Sequence, residues 1–391
     1  MRSLWASGSG GAGLAAVLLG ASCLGCESRV LSAVVVDGRD AGAGNGGSGG
    51  TTGSGGTTGT GGTTGSAGAA GSNGDPCVIS CGPVACPVVA NQPRVLVTSP
   101  SDKQIGAIAV SSDTLYWGTL PSSSPGEIRS MPLAGGPSTL LAENVIVGEL
   151  YLDGSTLYYV TNDRRGGFSL FSVPTTGGTS RMVATGSEIW YLTSDASGIY
   201  YGQKTATGAT TSRIMRIDRA TSGVTPLVEI PGMLWGFAID GTNVYWAWYS
   251  NGGTLSRRSL AGGDTTTLRT SAAPITFPVI DGDDIDFVEG INTPDVCQSS
   301  IWSVSKGGGA PRLLTPGTSG IDAGRLARDA THLYWGRGSH QGAILRTVKG
   351  QTPEIMAVNQ ANASWVVAVG ATDVYWIASS GSGDEVRAVP K

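Results

Sequence analysis

Beyond residue 93, short apolar stretches alternate with polar turns, and one pattern returns at a near-constant interval. An aliphatic residue followed by two aromatics occurs as Leu115-Tyr116-Trp117, Leu157-Tyr158-Tyr159, Ile199-Tyr200-Tyr201, Val244-Tyr245-Trp246, Leu333-Tyr334-Trp335 and Val374-Tyr375-Trp376. Ile285-Asp286-Phe287 is a seventh copy with Asp at the centre. Middle residues of successive copies lie 42, 42, 45, 41, 48 and 41 positions apart. A period of about 40 residues holding several short strands is the mark of a β-propeller.

Each period divides into four strands, here lettered A to D. Strand A is apolar, as in Ile105–Val110, and a polar turn such as Asp153-Gly154-Ser155 or Asp240-Gly241-Thr242-Asn243 follows. Such turns suit the positive φ of tight hairpins. Strand B carries the aromatic tripeptide. Strand C reads Ile128-Arg129-Ser130-Met131 or Ile214-Met215-Arg216-Ile217, a Gly-Gly turn closes it, and a short strand D follows, as in Arg181-Met182-Val183. The strands are rich in β-branched and aromatic residues, and no helical period competes. The expected fold is all-β: a seven-bladed propeller of four-stranded antiparallel blades, a count that suits the spacing better than six or eight. The last copy ends at Lys391 without a strand D, and Arg94-Val95-Leu96-Val97 stands unmatched before the first. That N-terminal strand is expected to complete the last blade and latch the ring.

The order of strand A, polar turn, aliphatic-Tyr-Trp, loop, Ile-x-Arg and Gly turn resembles the Tyr-Trp-Thr-Asp (YWTD) propellers of low-density-lipoprotein-receptor type. It is also similar to the NHL and TolB-like propellers of bacterial envelope proteins. The resemblance covers residues 105–391 and implies a rigid scaffold for binding. It departs in two ways. That family has six blades, and its Thr-Asp pair is missing here: Gly118-Thr119 follows Trp117 and Gly336-Arg337 follows Trp335. Some other device must fix blade to blade.

The N-terminal quarter has a different composition. Arg2 precedes an apolar run, Leu14–Leu19, and then Ala21-Ser22-Cys23-Leu24-Gly25-Cys26. The run is too short to cross a bilayer core of about 30 Å as a helix. Residues 1–26 read as a signal peptide with a lipobox-like Cys, resembling bacterial lipoproteins, with Cys26 or Cys23 lipidated. Residues 27–75 are a Gly/Thr/Ser-rich disordered tether that cannot bury enough apolar surface to order itself. Residues 76–92 form a Cys-rich connector and residues 93–391 the propeller. The protein is expected outside the cytoplasm, lipid-anchored in the cell envelope at the outer membrane or periplasm, or else secreted, and monomeric. A net charge of −4 with no basic stripe argues against a nucleic-acid partner.

Four thiols remain in an exported chain: Cys77, Cys81, Cys86 and Cys297. They point to two disulfides with three pairings open, more than to a metal site. The two histidines offer little chemistry. His332 reads as a turn residue, and His340 beside Ser339 makes no triad because neighbours on a strand point apart. No nucleophile elbow or P-loop appears, so no catalytic residue, cofactor or metal is assigned. Asp281, Asp283, Asp284 and Asp286 could attract calcium, but three of them fall in the turn that every repeat has. Asp286 stands where six repeats have Tyr and needs a partner, with Arg257 or Arg346 the candidates.

Propeller ligands are expected on the face bearing the D–A and B–C loops. There Glu149, Glu188, Trp190, Trp235, Phe277, Arg325 and Trp365 would ring a channel mouth, although packing between blades suits the three Trp better. Asn162, Asp163, Arg164, Arg165, Trp248, Tyr249 and Glu289–Ser300 would add outer loops. The expected role is a binding scaffold for an envelope protein or glycan. The alternative is a glycosidase or lyase using Glu149 and Glu188, since glycosidases need two carboxylates about 5–10 Å apart.

Overall fold

The computed structural model describes residues 87–89, 92–121, 125–162, 167–290, 292–293, 296–297, 299–315, 323–337, 342–360, 367–380 and 383–391, with the backbone alone at 292–293, 296–297 and 380. Signal peptide, lipidation cysteines, tether, Cys77, Cys81, Cys86, Asp163, Arg164, Arg165, His340 and Trp365 lie outside the described residues, as does the side chain of Cys297.

The described residues form antiparallel four-stranded meanders. The first runs Lys103–Val110, Thr114–Pro121, Glu127–Pro132, Thr139–Glu143. Equivalent sheets begin at Met233–Ile239, Ile275–Asp281 and Ala323–Arg328. Two meanders are fused. Arg181–Ser194 is one 14-residue strand that ends the sheet begun at Val147–Asp153 and starts the next, so seven strands run on unbroken to Val224–Ile230. The strand D and strand A read as separate in the sequence are continuous here. Arg94–Pro100 pairs antiparallel with Gly383–Pro390, Arg94 opposite Ala388 and Pro100 opposite Gly383, on the outer side of Asp373–Ser380 and Val367–Val369. In the connector, Val89 donates its N–H to the Ile355 carbonyl at 2.9 Å, which adds a short parallel bridge to the edge of Glu354–Val358.

Each A strand touches the next in chain order, and Val367–Val369 touches Lys103–Val110. The apolar faces are buried between successive sheets. Ala107, Ala109 and Tyr116 of one sheet meet Leu150, Leu157 and Tyr159 of the next. Close approach at these faces accounts for glycine in strand B. A Cβ on Gly118 would overlap the Val147 side chain, and one on Gly202 would lie 2.5 Å from Leu234 Cδ2. This is one part of the device that stands in for Thr-Asp.

The second part is electrostatic and repeats. The Asp that opens the A–B turn accepts hydrogen bonds from its own turn amides, as Asp240 does from Thr242 and Asn243 at 3.0 and 2.8 Å. The central Tyr of the tripeptide donates to the same carboxylate: Tyr245 to Asp240 at 2.9 Å, Tyr334 to Asp329 at 2.9 Å and Tyr200 to Asp195 at 3.1 Å. A cation from the turn after strand C of the following sheet completes the cluster. Lys306 reaches Asp240 at 2.9 Å and Lys391 reaches Asp329 at 2.8 Å. Arg219 grips Asp153 with both terminal nitrogens, at 2.7 and 2.9 Å. Lys349 reaches Asp281 at 3.0 Å and Asp284 at 2.7 Å. Burial pushes the carboxyls of Asp240 and Asp329 up, but the hydrogen bonds from Lys306 and Lys391 together with those from the turns outweigh it and hold both well below the usual range.

This geometry corrects the partner expected for Asp286. Neither Arg257 nor Arg346 meets it: Arg257 donates to the Lys306 carbonyl and Arg346 pairs with Glu354. Asp286 replaces the tripeptide Tyr, so it faces the same inter-sheet cation, Lys349, at 3.5 Å. Lys349 and Arg328 also occupy the place where calcium was considered. Among the described residues no three His, Cys, Asp or Glu are arranged to hold a metal ion.

Candidate binding site

The site is built from a register fault that recurs along the A strands. In six of them the pairing with strand B slips, between Ile105 and Ala107, Val147 and Glu149, opposite Tyr200 and Gly202, then Leu234 and Phe237, Thr276 and Val279, and Ala323 and Leu326. A bulge leaves one residue outside the ladder and exchanges the faces of those beyond it. The residue four positions before the turn Asp is Glu149, Tyr191, Gly236, Phe277 or Arg325 in five successive sheets. Tyr191, Gly236 and Phe277 have φ of 56°, 123° and 50°. For a bulky aromatic the left-handed region costs about 1–3 kcal/mol, and such strain gathers at functional sites.

Four of these side chains converge although they are far apart in sequence. Arg325 Nη2 donates to Glu149 Oε1 at 2.9 Å, and the Glu149 side chain is 1 % exposed. The guanidinium carbon sits 4.8 Å from the Tyr191 ring centroid and 6.0 Å from that of Phe277. The two rings meet edge to face at 6.4 Å. Burial raises the Glu149 carboxyl above its ordinary pKa, while the charge and hydrogen bond of Arg325 oppose the rise. Burial also pushes the Tyr191 phenol up to about 12.

Tyr191, Phe277 and Arg325 line a cavity of about 610 Å³ between the A strands. Its wall runs outward along Thr193, Ala238 and Ile280 to the A–B turns, where Gly154 and Ala196 are exposed. Near that end Tyr151 and Ser194 hydroxyls lie 2.9 Å apart, and Ser194 donates to Asp153 at 3.0 Å. The cavity therefore reaches solvent on the side of the A–B turns, and no described B–C loop residue lines it.

The structure brings Glu149, Phe277 and Arg325 together, but the cavity that Phe277 and Arg325 line opens toward the A–B turns and not on the face of the D–A and B–C loops. It does not bring in the others. Glu188 turns to Lys204 at 2.6 Å. Trp190 is buried, and Trp235 packs on the cluster of Tyr245 and Phe287. Glu149 and Glu188 are thus each held by a separate cation, and only the first adjoins the cavity. On the outer loops, Trp248 donates to Ser256 at 3.3 Å, Tyr249 is exposed, Asn162 ends a strand, and Glu289 takes Arg269 at 3.0 Å and Ser271 at 2.7 Å. His332 lies in a turn with Thr331. Sequence reasoning missed Tyr191, Tyr151, Arg219 and Arg328.

No protein-family model matches the chain, and no curated protein matches it. Among solved structures it is similar to an oligogalacturonate lyase from Vibrio parahaemolyticus, at 10 % identity and TM-score 0.56 over 78 % of this chain and 98 % of that one. An oligogalacturonate lyase in complex with manganese matches at 15 % identity and TM-score 0.54, over 71 % and 86 %. A puromycin-hydrolyzing peptidase from Mycobacterium tuberculosis matches at 12 % and 0.55, over 75 % of this chain and 54 % of the peptidase. Likeness at such identities is one of fold, and the fold is a β-propeller.

Proposed function

We propose that the chain is a lipid-tethered, extracytoplasmic β-propeller that binds an envelope ligand in the cavity between its A strands. The observation that carries this is the convergence of Tyr191, Phe277 and Arg325 from three sheets onto one cavity wall, two of them at strained φ, with Arg325 held by the buried Glu149 of a fourth. A scaffold with no ligand would have no use for left-handed aromatics beside a buried ion pair. Seven blades, the last completed by Arg94–Pro100 as a latch, are the arrangement that best accommodates the seven repeats and the pairing of that strand with Gly383–Pro390. The export-type N-terminus with Cys26 or Cys23, followed by the Gly-rich tether, supports attachment to a membrane as a monomer.

A glycan suits the recessed wall better than a protein surface does, since a flat partner would stop at the A–B turns. The enzyme reading has weaker support: the carboxylate pair it needs, Glu149 with Glu188, does not share the cavity. The test uses the full chain against separated polysaccharide and protein fractions of the envelope. Ala238→Trp fills the cavity and is expected to remove binding of the polysaccharide fraction. Undiminished binding by that variant would sink the proposal. Loss of labelled fatty acid in Cys26→Ser or Cys23→Ser checks the anchor.

A further inference from the structure

One residue after each strand C stands opposite the A–B turn of the preceding sheet. Its amide donates to the carbonyl two residues after the one that opens its own turn, as Arg219 does to Ser197, Leu260 to Thr242, Lys306 to Asp283 and Lys391 to Thr372. At this place acid and cation occur together: Asp153 with Arg219, Asp240 with Lys306, Asp281 with Lys349 and Asp329 with Lys391. They are also absent together. Ser111 opens the first turn and Thr175 stands in the next sheet; Gly370 opens the last turn and Leu133 stands in the first sheet, which touches the last. Asp195 alone breaks the rule. The residue due to face it is Leu260, which packs with Tyr200 in an apolar cluster.

The carboxylate oxygens show what is missing. In Asp240 and Asp329, Oδ1 takes the turn amides, while Oδ2 takes the strand B tyrosine and the lysine. In Asp195, Oδ1 takes the Ser197 and Gly198 N–H groups at 2.7 and 2.9 Å, and Oδ2 takes Tyr200 at 3.1 Å, but among the described residues no cation joins them. Arg219 is near yet committed: both terminal nitrogens go to Asp153, and Nε donates to the Asp195 backbone carbonyl at 2.8 Å. Turn geometry does not call for an acid, since Ser111 and Gly370 open the same turn. Asp195 lines the cavity, and so does Arg219, which fills the corresponding place one sheet earlier. Of the two acids on the wall, Asp153 has its cation and Asp195 has none.

We infer that the missing cation belongs to the ligand: a primary ammonium group enters from the A–B-turn face and pairs with Asp195 Oδ2. This deepens the proposed function and rests on it. An ammonium suits the place because lysine fills it at three junctions. The Ser194 and Tyr151 hydroxyls on the same wall keep acceptor lone pairs for its other N–H groups. An amino sugar with a free amine and an aliphatic diamine share this chemistry. A cavity of about 610 Å³ falls within the roughly 300–1,000 Å³ of small-ligand sites and admits either.

The test is calorimetric titration of the full chain with glucosamine and cadaverine at about pH 6.5, where both are cationic, with N-acetylglucosamine and glucose as uncharged counterparts. At least one amine should bind with Kd of about 1 mM or tighter, and about tenfold or more tighter than N-acetylglucosamine. Preference for glucosamine assigns the ammonium to a saccharide and preference for cadaverine to a diamine; either supports the pairing. Asp195→Ser, which copies the first turn, should weaken the amine about tenfold or more. Leu260→Lys supplies the cation from the chain itself, so it should weaken the amine likewise and raise Tm by about 1–2 °C. Glu229→Gln, at an exposed ion pair, should leave binding unchanged. Thermal melts identify any variant that fails to fold. Absence of amine binding at about 20 mM would overturn the inference. So would undiminished binding by folded Asp195→Ser or Leu260→Lys. Binding of the uncharged sugars alone, blocked by Ala238→Trp, would overturn the ammonium while leaving the cavity as the binding site.

Discussion

Lys349→Met should lower stability by about 4 kcal/mol at neutral pH, and the deficit should shrink on acidification. The Lys349 ammonium lies 3.5 Å from Asp286, whose side chain is 3 % exposed. At an effective dielectric of about 20, unit charges at that distance attract by roughly 5 kcal/mol. Freeing the long lysine side chain returns about 2 kcal/mol of rotamer entropy and hydration. The contacts to Asp281 and Asp284 are partly exposed and add only about 0.5 kcal/mol each. The net loss corresponds to a fall in Tm of about 8–16 °C for a domain of this size. Burial raises the Asp286 pKa, opposed by the neighbouring Ser303 hydroxyl and the charge of Lys349. A carboxyl whose folded pKa is raised binds more protons folded than unfolded, so stability falls as pH rises through that window. Without Lys349 the rise is larger, and the variant suffers most above it. Asp286→Tyr restores the residue of the other six repeats and should rescue Lys349→Met, with its phenol donating to Asp281 as Tyr245 does to Asp240. Circular-dichroism melts at pH 4.5 and 7.5 decide the matter. A Tm within 1 °C of wild type, or a deficit equal at the two pH values, would refute the reasoning; the threshold is about 0.3 kcal/mol.

Deleting residues 91–98 should remove most of the strand paired with Gly383–Pro390 and lower Tm by many degrees, and unchanged melting would dismiss the latch. Arg325→Met leaves Glu149 buried without its cation, at a cost of about 3–5 kcal/mol near pH 7.5. Because burial raises the Glu149 pKa, the variant should regain stability at pH 4.5, and Glu149→Gln should relieve it at both pH values; a pH-independent deficit would contradict this.

Much of the fold was legible because blades repeat what they need. The aliphatic-aromatic tripeptide, the turn Asp and the Gly turn each recur, so seven weak copies in register locate nearly every strand. The site was half legible for the same reason. Glu149, Phe277 and Arg325 share the fourth place before the turn Asp, and the structure puts Phe277 and Arg325 on the cavity wall with Glu149 buried against Arg325. Trp190 and Trp235 stand one residue earlier. Strict alternation cannot say which of two adjacent residues faces inward once a bulge intervenes, and nothing in composition marks a bulge. Counting back from the turn Asp would have found Tyr191. The cation clusters were hidden because their partners come from different repeats, as with Arg219 and Asp153, which are 66 residues apart.

The bulge also explains why chemistry gathers at that place. A residue in the ladder must suit its cross-strand neighbours and the faces it packs between, which is why strand B keeps Leu, Tyr and Trp through the copies. The bulged residue leaves the ladder and projects from the inner edge of the sheet. Its identity is therefore free to change, and it does: Tyr191, Gly236, Phe277 and Arg325 stand outside the ladder, while Ala107 and Glu149, at the same place, pair with Gly118 and Val160. A repeat protein built this way can alter its inner wall one side chain per blade without disturbing the packing between blades. The pairing of Glu149 with Arg325, contributed by sheets 176 residues apart, is a choice made at two such places. That pair ties two sheets together, so losing either partner leaves a buried group without its counterpart.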